Sequence, residues 1–140
     1  MNVTFVSASV GLVIALAVGI LATVTRMDRD RALYPAMLIM IAALYGLFGA
    51  IDGTPGVIAT EVAGMAPFAV LALLGFRRSL WIVVFALAGH GVYDLVHPRI
   101  VTDTGVPAWW PVFCLAYDVT AALYLAVLLR RSTVPARFRH

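Results

Sequence analysis

LWIVVFALAGHGVYDLVH, residues Leu80–His97, decides the fold. At about 18 residues it is long enough to cross a hydrocarbon core as a helix. It contains no Lys or Arg, yet it carries His90, Asp94 and His97. A charge at membrane depth costs about 3 kcal/mol on insertion scales, so ionisable groups there are rare and mark functional sites. Positions 90, 94 and 97 are spaced i, i+4, i+7 and therefore share one helical face. Gly89 and Gly91 flank His90 and leave room for a neighbouring helix or a ligand.

Working outward, four further apolar runs have spanning length: Phe5–Thr25, Tyr34–Ile51, Val57–Gly75 and Trp109–Leu129. The breaks between them are physical ones. Arg26–Arg31 is a charged loop, Asp52–Gly56 a turn signal, Phe76–Ser79 a tight connection, and Pro98–Pro107 a longer one. Over the whole 140 residues, 63% are hydrophobic and 12% charged, with a mean hydropathy of +0.99. That balance excludes an ordinary soluble domain. The expected fold is all-α, an integral membrane bundle of five transmembrane helices. Residues 1–129 form this domain, and residues 130–140 form a basic cytoplasmic tail that is solvated or bound to headgroups. The apolar first run is too long for a signal-peptide core and lacks a basic flank, so it reads as a retained span.

All ten basic residues are Arg. In this arrangement nine fall on one side of the membrane and only Arg99 on the other, which by the positive-inside rule puts the N-terminus out and the C-terminus in. The expected location is a bacterial inner membrane. Trp109 and Trp110 then open the last span at the outer interface, where Trp is favoured. Small residues recur along Ser7, Gly11, Ala15, Gly19 and Thr23, and along Ala42, Gly46, Gly49, Ala50 and Gly53. Such stripes let helices approach closely, within the chain or, as the alternative, in a homodimer.

The third and fifth spans add Glu61 and Asp118. At 1.5 Å per residue, Glu61 lies about 6 Å and Asp118 about 13 Å below the outer surface, with Asp94 and His90 at about 5 and 10 Å. His97 falls at the outer edge and Asp52 at the rim. Three readings of His90, Asp94, His97, Glu61 and Asp118 compete. They can bind one or two divalent transition metals such as zinc, iron or manganese. They can act without metal as acid and base, with Glu61, Asp94, Asp118 and Tyr93 as catalytic groups on a lipophilic substrate. They can also relay protons or cations. A purely structural role leaves five ionisable groups buried for little gain, since interhelical hydrogen bonds in membranes are worth less than about 2 kcal/mol. The preferred expectation is a metal-dependent or acid/base enzyme acting on a lipid, isoprenoid or quinone-like molecule. The alternative is a small proton- or cation-conducting transporter or channel subunit, and a third class is an accessory subunit.

Other chemistries are excluded or weakened. His90 and His97 share a helix and cannot face each other across a haem iron. No Gly-rich phosphate loop suggests a nucleotide, and no nucleic-acid module is present. Cys114 is the single cysteine, so no disulfide forms within the chain. Tyr45 and Tyr124 read as packing or interfacial residues, and Tyr93 or Tyr117 as supports for the site.

The segment from Leu87 to His97, followed by Cys114 and Asp118 in an apolar helix, resembles an uncharacterised family of small bacterial multi-pass membrane proteins with a His-x3-Asp-x2-His segment. The resemblance spans about a third of the chain, and Pro98 replaces the further histidine that the family usually carries directly after the last histidine of that segment. It implies a similar bundle and a shared polar site, without implying a reaction.

Overall fold

The computed structural model describes residues 2–136; Arg137 and Arg139 of the basic tail lie outside the described residues. Five helices follow one another: α1 (Val3–Thr25), α2 (Leu33–Asp52), α3 (Pro55–Arg77), α4 (Leu80–Ile100) and α5 (Trp110–Arg130). All five are long and apolar enough to cross a membrane, giving an all-α membrane-spanning bundle.

Helix ends follow local chemistry. Asn2 caps α1 by accepting from Thr4 N–H, and Ser79 caps α4 by accepting from Trp81 N–H. Pro55 opens α3, where its missing N–H costs nothing. Gly53 ends α2 at φ 78°, a conformation glycine adopts freely. Helix α4 runs three residues past His97, straight through Pro98. A proline in the last turn removes only the bond that its own N–H would have made to the Asp94 carbonyl. His97 therefore lies within the helix, about one turn from its end, and it is buried.

The packing order differs from the chain order. Helix α1 packs chiefly on α5, α5 on α4, and α4 on both α3 and α2, which also pack on each other. The first small-residue stripe is the α1–α5 seam: Ser7, Gly11, Ala15 and Gly19 are buried. A Cβ on Gly11 would run into the Phe113 carbonyl, and one on Gly19 would come 2.9 Å from the Tyr124 ring. The second stripe is less uniform. Ala42 and Gly49 are buried, whereas Ala50 faces out. Helices α1 and α3 expose most of their apolar surface, which makes them the lipid-contacting flanks.

The bundle has two polar ends joined by a dry middle. Leu38, Leu80, Val83, Leu87 and Leu125 have no solvent exposure and fill the half nearest the arginine-rich loops. At that end the Arg31 guanidinium, 4% exposed, donates to the carbonyls of Pro135 (2.6 Å), Gly75 (3.3 Å) and Phe76 (2.9 Å). Within residues 131–136, Pro135 and Ala136 make backbone contacts to the bundle, while residues 131–133 are exposed. Val134 is buried, and the Ala136 carbonyl accepts from Leu80 N–H at 3.0 Å.

Candidate functional site

The opposite end holds the ionisable groups. Glu61, His90, Asp94, His97 and Asp118 are each no more than 1% exposed. Three helices converge to place them, and glycines make the space. Gly91 brings α4 against α5, where a Cβ would lie 3.3 Å from the Cβ of Asp118. Gly49 does the same for α2 and α3, where a Cβ would lie 3.2 Å from Glu61 Cγ. Gly89, the other flank of His90, faces open space, with nothing within 4 Å of a Cβ there.

The five groups divide into two sets. In the deeper set, His90 Nδ1 lies 2.8 Å from Asp118 Oδ2, within hydrogen-bond distance, and 3.3 Å from Asp94 Oδ2. His90, Asp94 and Asp118 each offer one ligand atom, all within 4.8 Å of one another, so the cluster can coordinate a metal ion. Tetrahedral bonds of about 2.1 Å put ligand atoms roughly 3.4 Å apart, so small adjustments of these side chains suffice. In the shallower set, His97 Nε2–H donates to Glu61 Oε1 at 2.7 Å. Sequence spacing offered the five groups to one or two metals; the helices deliver three ligand atoms to one point and set Glu61 and His97 as a neighbouring pair.

Tyr45 joins the two sets. Its hydroxyl donates to Asp94 Oδ1 at 2.5 Å, and its ring centroid lies 4.2 Å from that of His97. Tyr45, read from sequence as a packing or interfacial residue, is buried in the bundle and also holds the central carboxylate with its phenol. Tyr124 also makes a specific contact, 3.1 Å from Thr23 Oγ1 at the arginine-rich end. Tyr117 points elsewhere and donates to Met37 Sδ. Tyr93 contributes its ring, 5.6 Å from His97 and 6.2 Å from His90, while its hydroxyl faces Gly64 on α3. Cys114 is buried one turn before Asp118 and is not among the three clustered ligands.

A second residue escaped the sequence reading. Asp103, in the α4–α5 loop, reaches the Glu61 carboxyl. The loop is strapped down by Asp52, whose Oδ2 accepts from Thr104 N–H (3.0 Å) and Thr104 Oγ1–H (2.6 Å). Asp52 is therefore a loop anchor. Turn residues flank Asp103 in sequence, and only the bend of the loop turns it inward.

Unmatched polarity is concentrated here. Glu61 Oε2, His90 Nε2, Asp94 Oδ2, His97 Nδ1, Asp103 Oδ2 and Asp118 Oδ1 are buried without a hydrogen-bond partner. Buried polar atoms in native proteins are nearly all paired, so such a concentration calls for a ligand, an ion or water. Two carboxylates facing one imidazole also carry excess negative charge in a medium that penalises it. A proton or a cation answers both demands.

No known protein family matches this chain, and neither a curated protein nor a solved structure proves similar to it.

Proposed function

We propose that the chain is a membrane-embedded enzyme that uses a divalent transition metal held by His90, Asp94 and Asp118. The observation that carries this reading is the convergence of those three buried ligand atoms within 4.8 Å. One nitrogen and two carboxylate oxygens suit zinc, manganese or iron, and leave positions open for water or substrate. Such an ion would polarise a bound oxygen and lower its proton affinity. Glu61 and His97, one layer nearer the surface, act as the acid/base pair, and Tyr45 orients Asp94.

The substrate is lipophilic: a lipid, an isoprenoid or a quinone-like molecule. A groove of about 640 Å³ between α3 and α4, lined by Pro67, Phe68, Phe85, Gly89 and Tyr93 among others, supports this. Its inner wall is the pair Phe68 and Tyr93, and the Phe68 ring lies 4.7 Å from His90. A hydrocarbon chain can enter there sideways from the bilayer. The arginine bias supports a bacterial inner membrane with the arginine-rich end in the cytoplasm and the site in the outer leaflet.

Proton or cation conduction is the second reading, favoured by the row of acids and imidazoles from Asp103 to Asp118. The leucine-filled half beyond Asp118 weighs against it, because a conducting path needs polar groups across the full span. Elemental analysis of the purified protein separates the two. A stoichiometric metal in wild type, lost in His90→Ala and Asp118→Ala, is the expected result. Metal-free wild type, with liposome proton flux abolished by Asp118→Asn, would replace the enzyme by the conductor.

A further inference from the structure

A cavity of about 350 Å³ opens at the acidic end, lined by His97, Thr102, Asp103, Val106, Pro107 and Ala108 among others. Two of its lining residues carry buried atoms without hydrogen-bond partners, Asp103 Oδ2 and His97 Nδ1, and Glu61, bonded to His97, adds a third, Oε2. With His97 Nε2–H given to Glu61, the neutral ring leaves Nδ1 as a lone pair. In that state all three atoms are acceptors, which suits a cation. Charge agrees with this. Five of the seven acids, Asp52, Glu61, Asp94, Asp103 and Asp118, belong to this end, against Arg99 alone. Asp103 is held in place, its Oδ1 accepting from Gly105 N–H at 2.7 Å, and Gly105 packs on the Phe48 backbone.

We propose that this cavity is a cation port: it captures a divalent ion from water through Asp103, Glu61 and His97 and passes it to His90, Asp94 and Asp118. The proposal rests on the metal centre argued above. Among the described residues, only that centre brings three ligand atoms into one cluster, so the port holds the ion in passage. Tyr45 lies between the two stations, its ring against His97 and its hydroxyl on Asp94. The opposite approach to the centre is closed by Leu87 and Leu125.

The test is the rate of Zn²⁺ uptake by chelator-stripped full-length protein in detergent, with final stoichiometry read separately. Asp103→Asn, which keeps an acceptor for Gly105, should slow uptake about tenfold with stoichiometry unchanged. Thr102 is exposed at the mouth, so changing its charge spares the packing. Thr102→Arg should slow uptake a few-fold and Thr102→Asp should speed it, and both effects should shrink in high salt as charges are screened. Normal stoichiometry with unchanged rates in all three variants overturns the port alone. Loss of stoichiometry in Asp103→Asn makes Asp103 a resident ligand and also overturns it. A wild type that takes up no Zn²⁺ overturns the metal centre itself.

Discussion

The two ends of the bundle bury charge in opposite ways. At the arginine-rich end, the Arg31 guanidinium meets three backbone carbonyls and ties α3 and the chain after α5 to the α1–α2 loop. At the acidic end, carboxylates and imidazoles meet one another and still leave six polar atoms without partners. The first arrangement satisfies acceptors that a folded chain must satisfy somewhere. The second accumulates demand that the folded chain does not meet. The arginine-rich end has isolated unpaired atoms too, Asp28 Oδ1 and Tyr34 Oη, so it is the clustering of unmet bonding capacity, not burial alone, that marks a functional site.

This contrast predicts that removing a buried charge should affect stability with opposite signs at the two ends. Arg31→Ala should have the largest effect on stability, a loss of about 3 kcal/mol, because charged hydrogen bonds vanish and carbonyls are stranded. Reversible unfolding in mixed micelles would measure it, and a loss near zero would break the contrast at its firmer end. Gly91→Leu should cost about 2 kcal/mol by forcing α4 away from Asp118 and Leu115, and should abolish metal binding with it. Tyr45→Phe should cost about 1 kcal/mol for its one hydrogen bond, and lower metal affinity roughly tenfold or more by freeing Asp94. Asp118→Asn should change stability least, and in the opposite direction. Removing one buried carboxylate should stabilise the metal-free protein by up to about 1 kcal/mol while eliminating metal binding. Clear destabilisation of the metal-free protein by Asp118→Asn would recast the acidic end as structural.

Periodicity and hydropathy made the helices legible, because each apolar run has to be spanning length whatever its neighbours are. The ends moved by a few residues where local chemistry intervened, as at Pro98, which α4 passes through. The acidic cluster was legible as a depth: antiparallel spans at 1.5 Å per residue put Glu61, Asp94 and Asp118 in one half of the bundle. Partner choice was not legible. Tyr45 has the sequence surroundings of any packed tyrosine, and only the α2–α4 contact gives its hydroxyl to Asp94. Asp103 sits among turn residues, and Arg31 sits among exposed arginines. Both turn inward for reasons set by the tertiary fold. The separation of Glu61 and His97 from the other three also depends on helix rotation, which spacing along one helix does not fix.

The seam between α1 and α5 joins the first of the five helices to the last. Until α5 is synthesised, Gly11 and Gly19 have no helix to receive them, and α1 waits in the lipid as a solitary span. The middle helices can associate in the meantime, but Asp118 also arrives only with α5. Assembly of these five helices therefore ends in a single late docking event, which covers one face of α1 and supplies the last carboxylate together. A nascent chain stalled before Trp110 should hold neither.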